Sequence, residues 1–212
     1  LSIHSFPTRR SSDLLAQMQR LRREAPDGPL QVRAAKIETS LRELARLSEK
    51  LMQLAKAEGG GLLSEAPQDL IPLLAHVAEE LNATAGQRIH LTLPAEGDVL
   101  STIDPDAFAI LLRNLIENAL KHGAPDQPVE VSLSSQALLT VVNAGSTVPA
   151  QVLERLTERF VRGNSEANGS GLGLAIAQTI VRGVEATMSL ASPATDKQDG
   201  FEVRVQFVLA RP

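Results

Sequence analysis

The chain has 212 residues, 43% of them apolar and 22% charged, the proportions of a globular protein with room for one or two domains. Its 21 basic and 25 acidic residues leave a net charge of −4, which implies no global attraction to nucleic acid, and Phe as the sole aromatic type offers few platforms for stacking on single strands. With no cysteine, disulfides and cysteine-ligated zinc are excluded and a reducing compartment fits; no apolar run nears the ~20 residues of a membrane span, so this segment is expected to be soluble and without membrane contact.

His4 to Leu14 reads as the conceptual translation of a sequencing-adapter oligonucleotide, or else as a basic, Ser-rich disordered tail, so residues 1–14 are expected to add nothing to the fold. From Leu14 to Glu58 the pattern predicts two helices. Leu14, Met18 and Leu21 share a face, and Ala25-Pro-Asp-Gly-Pro29 is a compact turn signal. Ile37, Leu41, Leu44, Leu47, Leu51 and Leu54 then follow at steps of 4, 3, 3, 4 and 3, an apolar seam of coiled-coil type. Two antiparallel helices cannot cover their own apolar faces, so residues 15–58 are expected to form a four-helix bundle with a second copy. A hairpin packed on its own C-terminal domain is the alternative. Gly59-Gly60-Gly61 opens a linker expected over residues 59–66, followed by a second domain over 67–212.

Asp69 is placed to cap a helix carrying Leu73, Leu74, Val77 and Leu81. Arg88 to Leu93 alternates as a half-buried strand with His90 on the polar side. Asp104-Pro105 pairs an N-cap with proline at the first helical position, and Phe108, Leu111, Leu112, Leu115 and Ala119 give that helix a buried side. Val129–Leu133 and Leu138–Val142 read as paired strands, Pro149–Leu156 as a short helix and Leu172–Val181 as a longer one. Thr187–Ala191 and Phe201–Leu209 close the chain as a hairpin. The mixture predicts an α+β fold: a two-layer α/β sandwich, helices covering one face of a mixed sheet, preceded by an antiparallel helical hairpin.

Three segments carry chemistry. In Asn114-Leu-Ile-Glu-Asn-Ala-Leu-Lys-His122, the residues Asn114, Glu117, Asn118 and Lys121 fall at i, i+3, i+4 and i+7, one stripe of a helix. Asparagine is a poor interior helix former, and a merely solvated face would more often carry Lys, Glu or Gln, so two Asn flanking a Glu favour ligand duty. Amide, carboxylate and ammonium on one stripe can hold a metal ion, an attacking group and a phosphate together. Gly169-Ser-Gly-Leu-Gly-Leu174 is a glycine loop running into a helix, a seat for phosphate oxygens. It is not a P-loop, because Leu174 follows Gly173, and no strand precedes it as a dinucleotide fingerprint requires. Between them, Val141-Val-Asn-Ala-Gly145 ends an apolar strand in a polar turn.

In this order the segments resemble the nucleotide-binding boxes of the histidine-kinase-type ATPase domain (the Bergerat fold), over roughly Asp69 to the C-terminus. The resemblance implies ATP and Mg²⁺ as cofactors. It implies that Asn118, assisted by Asn114, offers an oxygen to magnesium, which takes an all-oxygen shell. It makes Glu117 the catalytic group that orients or deprotonates the nucleophile, and Lys121 a phosphate contact. His122 stands where the family usually has Tyr; it lies against ribose or base, or else is an exposed helix-end histidine favoured by the dipole. Asn143 replaces the usual Asp that accepts from the adenine amino group, and an asparagine oxygen still accepts. Gly145 lets backbone approach the base. Phe160-Val-Arg162 resembles the phenylalanine box that orders the nucleotide lid, with Arg162 a phosphate partner. Gly169, Gly171, Leu172 and Gly173 complete the cradle.

Residues 15–58 are similar to a truncated dimerisation and histidine-phosphotransfer hairpin. The family's acceptor box begins His-Glu/Asp-x-x-Arg-Thr-Pro, and none of His4, His76, His90 or His122 has that context. The chain is therefore expected to be the cytoplasmic core of a two-component sensor histidine kinase, a phosphoprotein when intact, whose parent is anchored in the bacterial inner membrane. Its reaction is transfer of the ATP γ-phosphoryl to histidine and then to aspartate on a response-regulator receiver domain. Its other partner is a second copy, joined through the hairpin. Without the acceptor this chain is expected not to autophosphorylate. The rivals are a Bergerat-fold ATPase that hydrolyses and a non-catalytic dimeric ATP-binding module.

Overall fold

The computed structural model describes residues 14, 16–21, 23, 28–161 and 170–210. The chain divides into two compact units, Leu1–Gln53 and Leu54–Pro212. In the first, the described residues before Gly28 are helical, and a long helix, α1 (Pro29–Glu58), begins there and ends within the second unit. Residues 1–13, and 25–27 of the expected turn, lie outside the described residues. Within the expected seam Ile37, Leu44 and Leu51 are 50%, 61% and 44% exposed, and Leu30, one heptad earlier, is 62% exposed. Leu41 and Leu47 of the seam are half-buried and Leu54 is buried, so it is the stripe of Leu30, Ile37, Leu44 and Leu51 that faces water.

The second unit holds β1 (Leu63–Asp69), α2 (Leu70–Thr84), β2 (Ile89–Thr92), β3 (Leu100–Ile103), α3 (Pro105–His122), β4 (Val129–Leu133), β5 (Leu138–Asn143), α4 (Ala150–Leu153), α5 (Gly173–Gly183), β6 (Thr187–Ala191) and β7 (Phe201–Gln206). Five strands form a mixed sheet in the order β2-β4-β5-β7-β6, with β2 parallel to β4 and the other pairs antiparallel. Helices α2 and α5 flank α3, which lies on the sheet against β4 and β5. This is the α+β arrangement expected.

The local chemistry explains the elements. Asp104 Oδ1 accepts from the Ala107 N–H at 3.0 Å, and Pro105 occupies the first turn, so α3 starts where its sequence says. Its stripe of Phe108, Leu111, Leu112, Leu115 and Ile116 is essentially fully buried. Beneath it, Val129, Val131 and Leu133 of β4 and Leu139, Val141 and Asn143 of β5 point inward with period two. At the far end Phe108 meets Phe207 edge to face, centroids 5.5 Å apart.

Two strands were not legible. β1 and β3 pair antiparallel in a separate two-stranded sheet, with an irregularity between Leu63 and Gln68. β1 takes in the last residues of the expected linker. Leu63-Ser-Glu-Ala-Pro-Gln-Asp has neither alternation nor β-branched residues, and its pairing depends on partners 31 to 40 positions away in sequence. Asp69 closes it: Oδ1 accepts from both the Ile71 and Val99 N–H at 3.1 Å, capping α2 and tying it to the approach to β3. The expected closing hairpin is shorter, since β7 ends at Gln206; the Phe207 N–H then turns to the Ala137 oxygen.

Candidate functional site

The stripe on α3 runs between two loops. Asn114 is 1% exposed, with its Nδ2 donating to the Ile110 oxygen at 2.7 Å. Its Oδ1 lies 3.5 Å from where a side-chain carbon on Gly173 would stand, so α5 starts directly over it. That burial makes Asn114 a packing and orienting group between helices, less open to a ligand than expected. One turn on, Asn118 is half-buried, and Glu117 and Lys121 are exposed. At the C-terminal end of the stripe, a Cβ on Gly123 would meet Asn143 Cβ at 3.0 Å, and one on Gly145 would meet the His122 oxygen at 3.5 Å. The Ala124 N–H donates to the Ala144 oxygen at 2.8 Å.

Asn143 is 4% exposed and faces the helices because it continues the inward phase of Leu139 and Val141. Its Nδ2 donates to the Ala144 oxygen at 3.2 Å. Gly145 has φ +147°, a conformation that favours glycine, and its carbonyl accepts from the Gly200 N–H at 2.8 Å. Gly123 was missed by sequence reasoning. A glycine after a helix reads as a left-handed C-cap, but its φ is −73°; the space is needed for the Ala119 oxygen, 2.6 Å from an added Cβ, and for Asn143.

On the other side, Gly171 has φ +66°, and an added Cβ would fall 2.8 Å from the Val161 oxygen and 2.9 Å from the Phe160 carbonyl carbon. The Phe160 N–H donates to the Gly171 oxygen at 3.0 Å, so the phenylalanine segment is stitched to the glycine loop, with the Phe160 ring 61% exposed and its own φ at +63°. Leu172 is fully buried, which leaves only its backbone to a ligand. Leu172, at the N-cap of α5, has no side-chain acceptor to give the first amides of the helix, which lie at the loop. Arg162 and Gly169, and the stretch from Asn164 to Asn168, lie outside the described residues.

His122 ends α3. Desolvation by its surroundings, and then the neighbouring Lys121 ammonium, hold its imidazole below the ordinary histidine value. The direction is opposite to that of a helix-end imidazolium favoured by the dipole, although the residue as a whole stands exposed at the end of α3. Because the fold prefers the neutral form, the unfolded chain takes up the proton first. This contribution to stability is complete above pH 6.5 and is lost as pH falls toward the lower folded value. Melting temperature should fall below pH 6.5 more steeply for the unsubstituted chain than for His122→Gln; superimposable slopes would refute this.

Magnesium is testable on the donors alone. Among the described residues no three His, Cys, Asp or Glu side chains gather as a metal cluster. The stripe offers one amide oxygen at Asn118 beside a carboxylate at Glu117, hard oxygen donors that suit magnesium when phosphate and water complete the shell.

A sandwich of this topology, with its asparagine stripe set between a glycine-led helix and a polar strand end, defines a class of nucleotide-binding ATPase domain. Residues 103–211 match the family described as histidine kinase-, DNA gyrase B-, and HSP90-like ATPase, and the chain belongs to that family. It is homologous to sensor histidine kinases. It is 31% identical to the swarming motility regulation sensor protein RssA of Serratia marcescens, over 78% of this chain and 37% of that one. It is 31% identical to the signal transduction histidine-protein kinase BaeS of Escherichia coli, over 84% and 39%. The chain thus spans under two-fifths of the length of these relatives. Among solved structures, full-length ShkA in complex with AMPPNP has TM-score 0.69 at 20% identity, covering 96% of this chain and 44% of that one. The cytoplasmic segment of histidine kinase QseC has TM-score 0.52 at 22% identity, covering 78% and 92%. At these identities the structures speak for the fold. No helix among the described residues is long and apolar enough to cross a membrane.

Proposed function

We propose that this chain is the ATP-binding part of a two-component sensor histidine kinase. The observation that carries it is the α3 stripe, with Gly173 above Asn114 at one end and Asn143 packed on Gly123 at the other. That spacing matches a nucleotide lying along the helix, base at Asn143 and Gly145, phosphates at Gly171 to Gly173. Asn118 holds the magnesium ion, with Asn114 orienting from beneath, and Lys121 contacts phosphate oxygen. Magnesium supplies charge neutralisation on the phosphates when bound. Glu117, exposed beside Asn118, orients the incoming nucleophile or takes its proton, and Arg162 and Phe160 belong to the lid. Positioning provides most of the acceleration in such a transfer.

The acceptor is a histidine on a helical hairpin, and the phosphoryl group then moves to an aspartate of a receiver domain. His76 and His90 lie exposed on α2 and β2 and His122 ends α3; neither these nor His4, which lies outside the described residues, has the acceptor's sequence context, so the chain is expected not to label itself. The test is radiolabelled ATP with and without an added hairpin from an intact relative that carries its histidine. Acid-labile label is expected on the added hairpin alone. Acid-labile label on this chain alone would overturn the acceptor assignment, and ATP hydrolysis with no label on either would favour the hydrolytic relatives.

The solvent-facing heptad of Leu30, Ile37, Leu44 and Leu51 supports a homodimer through residues 15–58. Each buried Leu adds ~1.5–3 kcal/mol, so Leu44→Asp should convert a concentration-dependent dimer into a monomer in sedimentation. A strictly monomeric unsubstituted chain at high concentration would remove the bundle. The parent of this core is a membrane-anchored sensor facing the cytoplasm with this part.

A further inference from the structure

Arg88, the residue before β2, makes three hydrogen bonds that nucleotide binding has not used. Its Nη2 donates to the Ala124 oxygen at 2.7 Å and to the Gln127 oxygen at 3.1 Å, and its Nε donates to the Gln127 oxygen at 3.3 Å. Its own carbonyl accepts from the Val129 N–H at 2.8 Å. One planar guanidinium therefore fastens both ends of the turn joining α3 to β4, a geometry that a lysine ammonium cannot reproduce. Arg88 is itself held, since Asn82 at the end of α2 both donates to and accepts from the backbone of Ile89, at 3.1 and 2.9 Å.

The fastened turn reaches the base side of the site. Ala124 donates its N–H to the Ala144 oxygen at 2.8 Å, and Asn143 Nδ2 donates to that same oxygen at 3.2 Å. The carbonyl that Ala124 holds in place is thus the one that orients the Asn143 amide. This matters because the residue is Asn. Both oxygens of an aspartate accept, whichever way it turns. An asparagine rotated by half a turn exchanges acceptor for donor with almost no change of shape. With Nδ2 engaged on Ala144, the atom offered to a ligand is Oδ1, an acceptor. A 6-amino purine brings a donor to it. A 6-oxo purine brings oxygen against oxygen and leaves both unsatisfied.

We infer that Arg88 is a positioning residue for base specificity: by holding Ala124 on the Ala144 carbonyl, it keeps Asn143 turned to select a 6-amino purine over a 6-oxo purine. The inference rests on the ATP reading and goes further than it, to a residue whose closest acceptors are 36 and 39 positions away in sequence.

The experiment is calorimetric binding of Mg-ATP and Mg-ITP, which differ at the purine 6-position, to the full chain and its variants, with thermal melts alongside. The unsubstituted chain should prefer ATP. Arg88→Ala should shrink the ATP-to-ITP ratio about tenfold, the worth of one net hydrogen bond. Arg88→Lys should retain an intermediate ratio, and it carries the comparison if Arg88→Ala does not fold. In an Asn143→Asp background, where either oxygen accepts, Arg88 substitution should leave the ratio unchanged. Equal weakening of both nucleotides by Arg88→Ala, or an equal change of ratio in the two backgrounds, would reduce Arg88 to a structural clamp and overturn the inference. Failure of the unsubstituted chain to bind either nucleotide is a different result: it overturns the nucleotide reading itself, and this assignment falls with it.

Discussion

Asn118→Ala is expected to remove most magnesium-dependent ATP affinity while leaving the protein folded. Asn118 is half-buried on α3, one turn beyond the buried Asn114, and its neighbours toward the core are Leu115 and Ala119 rather than itself. Replacing Asn by Ala improves intrinsic helix propensity, so the melting temperature should hold or rise slightly. The lost contact is to a charged group, worth ~1.5–3 kcal/mol, so affinity should drop roughly 10- to 100-fold with magnesium present. In EDTA the substituted and unsubstituted chains should differ far less. Titration calorimetry under both conditions reads this directly, and unchanged affinity with magnesium would take the metal role from Asn118. Glu117→Gln makes the complementary case: nucleotide binding persists, and transfer to the added hairpin is lost.

Gly171→Ala is expected to cost both stability and nucleotide affinity. At φ +66° an alanine is in the left-handed region, and its Cβ is driven to within 3.0 Å of three backbone atoms of Phe160 and Val161. Backbone cannot swing aside as a long side chain can, so the Phe160 segment must leave the loop and break its hydrogen bond to the Gly171 oxygen. Strain of this kind costs about 1–3 kcal/mol. Gly86 supplies the control, because it has the same φ of +66° with open space where a Cβ would go. Gly86→Ala carries the backbone cost without the collision. The difference between the two melts isolates the contact, and only Gly171→Ala should weaken ATP binding. Equal effects of the two on stability and on affinity would remove Gly171 from the cradle.

Much of the fold is legible because its signals are local. Asp104-Pro105 caps and opens α3, and apolar residues at helical spacing bury one side of it; both operate within a turn or two of chain. The period-two phase of Leu139, Val141 and Asn143 places an asparagine on the inner face without knowledge of what it meets there. The Asn114 to Lys121 stripe follows from 3.6 residues per turn alone. What lies across the stripe does not. That Asn114 is buried under Gly173, and so less open to a ligand than its neighbour Asn118, depends on α5 crossing α3. Gly123 is explained by Asn143 twenty residues later. β1 and β3 exist as strands because they pair with each other. Arg88 is an ordinary arginine before a strand until Ala124 and Gln127 turn their carbonyls to it. Periodicity and capping are short-range physics written into neighbouring residues. Close approach and a shared hydrogen-bond acceptor come from chain segments that only the folded structure brings together.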